Sequence, residues 1–376
     1  MITHRERALE ALSGKETDRP PVDLGGLAWS IVDSNPHGYR GLCRHLGIGG
    51  AEPAHRIGSY VVYPVDERIL RRFGIDFRHV RIGEPKVELR GGAVEDCFGV
   101  RWVPTPSKSM YYPTDPPLAG AKGVEDVEDY GKWPDADDPA FTSGKAEEAK
   151  GLRERTDCAI MADLGVASNF LHRYAQLRGF SRWLLDMRLR PELYEALVSK
   201  IFDVNTKLAE AFLAPMADLI DVVCISDDMG SQASPFVSKE AYGLRIKPWL
   251  KMRIDSLRRM APRAKVLYHS CGSVHQLIPE FIDAGVDILN PIQPLAAGME
   301  PLQIKAEYGR SLCLHGGIDI QRMLPFSTPE EVKGAVKKIL GIMGKGGGYV
   351  MAPSHQIQAD IPAENVVAMY DAAIMP

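Results

Sequence analysis

The chain has 376 residues, 45% of them hydrophobic and 25% charged, with 45 basic against 49 acidic side chains and a formal net charge of −4. That balance suits a globular chain with a large core. It offers neither the basic run of a nucleic-acid surface nor the acidic block of a tail. No apolar stretch approaches the roughly 18 residues that would span a bilayer, and the first residues carry no apolar signal core or cleavage pattern, so a soluble cytoplasmic protein is expected.

Thr3 to Leu12 has helical spacing, with Ala8, Leu9 and Leu12 on one side, and Asp18 to Pro21 breaks it. Pro21-Val22-Asp23-Leu24-Gly25-Gly26 reads as a first short strand, and residues 27–85 as a mixture of helix and irregular structure. Val87 to Val103 alternates around Gly91-Gly92 and predicts a β-hairpin. Residues 104–140, rich in Pro and Asp, read as a long surface excursion. From there strands and helices alternate. A helix over Phe141–Arg155 leads to a strand over Cys158–Leu164, and long helices fill about 171–214. Strands follow at Leu219–Ser226, Lys265–His269, Val286–Leu289, Ser311–Leu314 and Gly348–Met351. The helices between and after them cover about Lys239–Met260, Val274–Ala284, 300–308, Pro329–Met343 and Ala363–Ala373.

Continuous apolar strands separated by helices mean a parallel sheet covered on both faces. A doubly wound sheet would share that pattern, but no Gly-rich phosphate fingerprint follows the first strand. Polar residues also collect just after strand after strand: Asp163, Asp227-Asp228, His269 to Cys271, Asn290, His315 to Asp319, and His355. In a barrel those positions converge on one mouth. The expected fold is therefore α/β, a (β/α)8 TIM barrel with an N-terminal helical and β-hairpin extension. It forms a single domain over 1–376, with an insertion at roughly 86–140.

The six cysteines, at 43, 97, 158, 224, 271 and 313, make neither a disulfide framework nor a CxxC pair. Cys224 and Cys313 lie in apolar runs and read as small buried hydrophobes. Cys271 is different. In Tyr268-His269-Ser270-Cys271-Gly272 the period-two alternation of an extended chain points His269 and Cys271 the same way, at the end of a strand. An imidazole beside a thiolate forms two-thirds of a catalytic zinc site, which needs a third protein ligand and an open fourth position. His355, His315, Asp227 and Asp228 are candidates for the third ligand. His355, after the last strand and across the mouth, is favoured. Alternatively, His269 is a hydrogen-bonded core histidine and Cys271 an inert thiol.

Asp227 and Asp228 are adjacent at a strand end, so at most one faces the barrel axis. Either is a candidate catalytic acid, Asp227 the more so, with burial raising its pKa; the other reading has one of them capping a helix. Asp163, Gln232, Asn290, His315 and Asp319 are expected to contact substrate, although Asp319 could instead cap the short helix that follows it. His172 and His275 lie on helix-like segments and read as surface or core residues.

Together these residues resemble the uroporphyrinogen decarboxylase superfamily over nearly the whole chain. The resemblance rests on Arg5-Glu6-Arg7-Ala8-Leu9 through Asp18-Arg19-Pro20-Pro21-Val22, on Phe73-Gly74-Ile75-Asp76-Phe77-Arg78, and on His269 to Gln293. It extends through Gly316-Gly317-Ile318-Asp319 and the stretch from Ala352 to Asn365. It implies a (β/α)8 barrel, in agreement with the residue pattern. The superfamily holds at least two chemistries. Its true decarboxylases resemble one another in an Arg-rich N-terminal segment that binds tetrapyrrole carboxylates; here the corresponding region reads Val22-Asp23-Leu24-Gly25-Gly26-Leu27-Ala28-Trp29. Its cobalamin-dependent methyltransferases bind zinc through His-x-Cys and a later Cys. His269 and Cys271 match the first two positions, and His355 stands where the later Cys is expected.

That departure removes one negative charge from the ligand set, which implies a stronger Lewis acid less tuned to thiolate activation. The resemblance thus implies zinc-dependent methyl transfer between a small methylated substrate, foremost a methoxylated aromatic, and a corrinoid. The chain has no Asp-x-His-x-x-Gly motif, so the corrinoid (cobalamin) is expected on a separate corrinoid protein. A homodimer is also expected, and no nucleic acid or membrane partner. The runner-up is a metal-independent decarboxylase of a carboxylated substrate; a third class is a non-catalytic binding barrel.

Overall fold

The computed structural model describes residues 2–26, 30–33, 38–50, 64–105 and 111–375. Its main sheet holds seven parallel strands in the order β1 (Phe77–Arg81), β6 (Ala159–Asp163), β7 (Val222–Ser226), β8 (Lys265–His269), β9 (Ile288–Ile292), β10 (Cys313–Ile318) and β11 (Tyr349–Pro353). The ring is closed by Pro21–Asp23. Asp23 N–H donates to the Met351 carbonyl at 2.9 Å and Met351 N–H to the Pro21 carbonyl at 2.9 Å, while Asp76 N–H, just before β1, donates to the Val22 carbonyl at 2.9 Å. The short first strand expected from sequence is therefore the eighth stave, and the (β/α)8 barrel is the fold.

Within the ring, period-two alternation divides each strand between two cores. Phe77, Ala159, Met161, Val222, Cys224, Leu267, Ile288, Cys313 and Val350 fill the barrel interior, joined from below by Ala8 and Leu12 of helix α1 (His4–Leu12). Their neighbours Ile160, Val223, Ile225, Val266, Leu289 and Leu314 face the helical shell. Cys224 and Cys313 are thus interior packing residues, 0% and 4% exposed. Continuing the interior parity toward the C-terminal ends gives Asp163, His269, Asn290 and His315, which lie above this apolar plug.

The sequence pattern missed β1, which falls in the stretch read as mixed. Phe77-Arg78-His79-Val80-Arg81 carries three basic side chains, so it lacks the apolar look of a core strand. Arg78 is nonetheless only 4% exposed. It is neutralised by Glu67 at 2.9 Å and donates to the Ile75 and Phe77 carbonyls. The insertion forms a four-stranded antiparallel sheet, β2 (Lys86–Glu88), β3 (Val94–Asp96), β4 (Arg101–Pro104) and β5 (Tyr111–Thr114). It is a meander rather than the single hairpin expected, because the excursion after residue 104 returns to pair along β4. The expected long helices break at Gly179, Arg190 and Ile246. Among the described residues no helix is long and apolar enough to cross a membrane.

Candidate active site

The mouth is organised by β8. His269 ends the strand, 5% exposed, and the chain continues extended to Cys271, whose Sγ lies 3.3 Å from His269 Nε2. Gly272 then turns with φ +87°. A Cβ there would stand 2.3 Å from the Gly230 carbonyl oxygen, so only glycine lets these two loops touch. On the loop after β11, His355 brings its ring centroid to 5.7 Å from that of His269. The donor atoms of His269, Cys271 and His355 all lie within 4.8 Å of one another, a set that could hold a metal ion.

A chain of hydrogen bonds behind His269 fixes which nitrogen faces this cluster. Asp23, on the closing stave and fully buried, can only accept; His315 Nε2 lies 3.1 Å from its Oδ2 and so donates. His315 Nδ1 then accepts from Asn290 Nδ2 at 2.9 Å. This orients the Asn290 amide so that its Oδ1 accepts from His269 Nδ1. The proton on Nδ1 leaves Nε2 with a lone pair directed at Cys271, the tautomer a metal ligand requires. Burial pushes the Asp23 carboxyl up, but His315 and His79 outweigh it and hold the group well below the carboxylate range, so the chain starts from an anion. Gly26 also serves this arrangement: with φ +60°, its hypothetical Cβ would stand 2.9 Å from Asn290 Nδ2.

The two adjacent aspartates separate by strand parity. Asp227 turns outward and both of its oxygens accept backbone N–H groups, from Phe170 at 3.2 Å, Leu171 at 2.9 Å and His172 at 2.8 Å, at the start of helix α2 (Leu171–Arg178). Asp228 turns inward. Its Oδ1 accepts the Cys271 N–H at 2.8 Å and lies 3.7 Å from His269 Nε2, and its Oδ2 lies 3.6 Å from His172 Nε2. Burial pushes the Asp228 carboxyl up, but His172 and His269 outweigh it and hold it below its ordinary value. Burial also lowers His269, lowers His355 to about 4, and drives the Cys271 thiol well above its ordinary value with help from Asp228. Both imidazoles are therefore neutral at physiological pH.

Of the ten residues picked from sequence, His269, Cys271, His355 and Asp228 meet in one cluster, and Asn290 and His315 stand directly behind it. The side-chain hydrogen bonds of Asp163, Asp227 and Asp319 are made to other groups. Asp163, buried at the end of β6, pairs with Arg81 and accepts Gly165 N–H at 2.8 Å. Asp319 accepts from Gln321, Arg322 and Met323 N–H in the turn that leads into the short helix Met323–Phe326. Gln232 is exposed on a loop. Sequence reasoning passed over Asp23 and His172. Asp23 obeys the same polar-after-strand rule as the others, on a stave too short to stand out. His172 had no signal, since only the Asp227 cap aims the start of α2 at Asp228.

Because Asp227 satisfies three N–H groups in the interior, Asp227→Ala should destabilise the protein by about 1–3 kcal/mol, as read by denaturant titration. Burial raises the Asp227 carboxyl to about 6. Its unfolded value is near 3.9, so the folded chain binds this proton more tightly. The corresponding stability is present below about pH 4 and lost as pH rises through about 6. Asp227→Asn should flatten that slope, and a slope unchanged in the variant would contradict the assignment.

Comparison with known proteins agrees with the fold. Residues 166–374 match the family model described as uroporphyrinogen decarboxylase (URO-D). The uroporphyrinogen decarboxylases of Psychromonas ingrahamii and Methylococcus capsulatus are 27% and 26% identical over 185 and 184 residues, in each case 48% of this chain and 48% of theirs. The match thus spans about half the length of these relatives. A solved structure of a methyltransferase from Methanosarcina mazei superposes with a TM-score of 0.65 at 18% identity, covering 99% of this chain and 98% of that one. At that identity the likeness is one of fold.

Proposed function

The chain belongs to the uroporphyrinogen decarboxylase family, and on that premise we propose that it is a zinc-dependent methyltransferase. In this reading it moves a methyl group from a small methylated compound, foremost a methoxylated aromatic, to the corrinoid of a separate corrinoid protein. The observation that carries the reading is the convergence of His269 Nε2, Cys271 Sγ and His355 at the barrel mouth, with His269 Nδ1 committed to Asn290. Zinc bonds of about 2.0–2.3 Å in a tetrahedron put neighbouring donors about 3.3–3.8 Å apart. The 3.3 Å between His269 Nε2 and Cys271 Sγ fits that spacing, and three protein donors leave a fourth position for substrate. A tetrapyrrole decarboxylase would need cations for the substrate carboxylates, whereas Arg81 near this mouth is paired with Asp163 and Glu84.

Zinc held there would supply a Lewis acid that makes the substrate oxygen a better leaving group. The remaining work falls to the chain. Asp23, His315 and Asn290 keep His269 in its ligand tautomer. Asp228, its carboxyl held below its ordinary value beside His269 and His172, balances the charge of the site. The corrinoid of the separate protein would be the methyl acceptor.

The test is to supply reduced cobalamin, zinc-loaded protein and a panel of methyl ethers, methylamines and betaines, and to follow methylcobalamin formation by absorbance. Turnover that is lost on chelation and restored by zinc is expected. Carbon dioxide release from a carboxylated porphyrinogen by chelated protein, with no methyl transfer from the panel, would move the assignment to a decarboxylase. A related expectation concerns the orienting chain: Asn290→Ala should weaken zinc binding by roughly 10- to 100-fold, measured by competition with a chromophoric chelator. Unchanged affinity would mean that the His269 tautomer is set by something else.

A further inference from the structure

Between the inserted sheet and α2 lies a cleft of about 260 Å³, whose lining includes Trp102, Tyr111, Arg81, Asn169, Arg173 and Gln176. Its wall carries an unusual concentration of unmet hydrogen-bonding capacity. Among the described residues, Asn169 Oδ1, Arg173 Nε and Gln176 Oε1 are buried with no partner, and all three residues line this one cleft. Buried polar atoms are almost always paired, so three orphans in one wall point to something that pairs with them.

The wall is also held in place. Asp96 Oδ2 accepts from Trp102 Nε1 at 3.1 Å and from Arg173 Nη1 at 2.7 Å, while its Oδ1 accepts the Phe98 and Val100 N–H groups. One carboxylate therefore fixes both an indole and a guanidinium, and Arg173 is further seated 4.0 Å over the Phe98 ring. Such prior ordering lowers the entropy cost of binding.

The chemistry of the wall defines what fits. Two amide oxygens ask for a donor and one guanidinium N–H asks for an acceptor; a hydroxyl, with one O–H and two lone pairs, can pair with one of the oxygens and with the guanidinium. Trp102 and Tyr111 offer flat aromatic surface. Arg81 and Arg173 are already neutralised by Asp163, Glu84 and Asp96, so the cleft does not call for a multiply charged anion. Small-ligand pockets run to roughly 300–1,000 Å³, and a cleft just below that range takes one substituted ring rather than four linked pyrroles.

We propose that this cleft binds a single aromatic ring through a ring hydroxyl, and that this is the aryl portion of the methyl donor. Its placement supports the second half of that statement. Residue 172 of α2 faces Asp228 at the metal-type cluster, and residues 173 and 176 of the same helix face the cleft. The helix α2 thus carries residues of both the cleft lining and the neighbourhood of the cluster. The identification of the ring as a methyl donor rests on the methyl-transfer reading above; the binding of a hydroxylated ring does not.

The experiment is a calorimetric titration of the zinc-free protein with phenol, 2-methoxyphenol and methoxybenzene. Phenol and 2-methoxyphenol should bind saturably, and methoxybenzene, which has no donor, at least tenfold more weakly. Asn169→Leu or Gln176→Leu, whichever removes the acceptor of the single phenol O–H, should weaken phenol binding about fivefold, the loss expected for one hydrogen bond, and leave methoxybenzene unaffected. Equal affinity for phenol and methoxybenzene in the wild-type protein would overturn the proposal whatever the variants do, as would phenol binding untouched by both substitutions. Hydroxyl-dependent binding with no methyl transfer to cobalamin would sink the methyl-transfer reading and keep the cleft. Methyl transfer from an amine with no phenol binding would do the reverse.

Discussion

Asp76→Ala is expected to lower the stability of the protein by about 3–5 kcal/mol, the range for removing one partner from a buried charge network. Asp76 is 0% exposed. Its carboxylate accepts from His4 at 2.7 Å, from Arg7 at 2.8 Å and from Arg19 at 2.8 Å, and Oδ2 also takes the Val22 N–H at 2.7 Å. These contacts hold the N-terminal helix and the closing stave against the start of β1. Without the carboxylate, Arg7 and Arg19 lose their shared counter-charge and the Val22 N–H loses its acceptor at the point where the ring closes. The same group should govern part of the acid limb. Burial pushes its pKa up, but His4 and Arg19 outweigh it and the net shift is downward. A carboxyl lowered in the folded state contributes stability that is present above its unfolded value, about 3.9, and is lost as pH falls through the folded one. Denaturant titrations at neutral pH and below pH 4 should therefore show the wild-type advantage over Asp76→Asn shrinking with acid. An advantage that is constant, or that grows, would refute this account.

How much of this was legible in the sequence turns on one regularity. Where a strand alternates cleanly, parity tells which side chain reaches the mouth, and His269 and Cys271 were found that way. The same parity, counted from Val222 and Cys224, sends Asp228 inward and Asp227 outward. The strand boundary expected at Leu219 belongs to a short helical turn over Ala214–Leu219, and sequence alone gave no sure phase from which to count. β1 was hidden because its charges are cancelled by residues distant in sequence, Glu67 for Arg78 and Asp163 for Arg81. A local pattern cannot register such compensation. The cleft was invisible for a related reason: Trp102 and Tyr111 come from the insertion and Arg173 from α2, and their meeting depends on Asp96. Asp23 is the instructive omission. It sits two residues after Pro21 on a stave held by three backbone hydrogen bonds, yet it anchors the chain that orients His269.

Cys271→Ser should reduce zinc affinity by roughly 100- to 1,000-fold. Structural zinc sites with four ligands bind with about 10–16 kcal/mol, about 2.5–4 kcal/mol per ligand, and a serine hydroxyl is a poor substitute for a thiolate. His269→Ala and His355→Ala should cost a similar factor, measured by chelator competition, with Asp319→Asn, remote by its contacts, serving as a control. The pH dependence has a definite sign. Burial and Asp228 favour the neutral thiol, so metal binding must expel that proton and affinity should climb as pH rises through the neutral range. In Cys271→Ser that climb should flatten. His355→Cys provides the rescue arm: it adds a thiolate to a site that has one, and should bind zinc at least as tightly as wild type with a steeper rise with pH. Full affinity in His355→Ala would remove His355 from the ligand set and with it the distinction between two imidazoles with one thiolate and two thiolates with one imidazole. That distinction is the physical reason for expecting an oxygen-bound methyl group: a less negative ligand set leaves more of the metal's charge for the substrate oxygen.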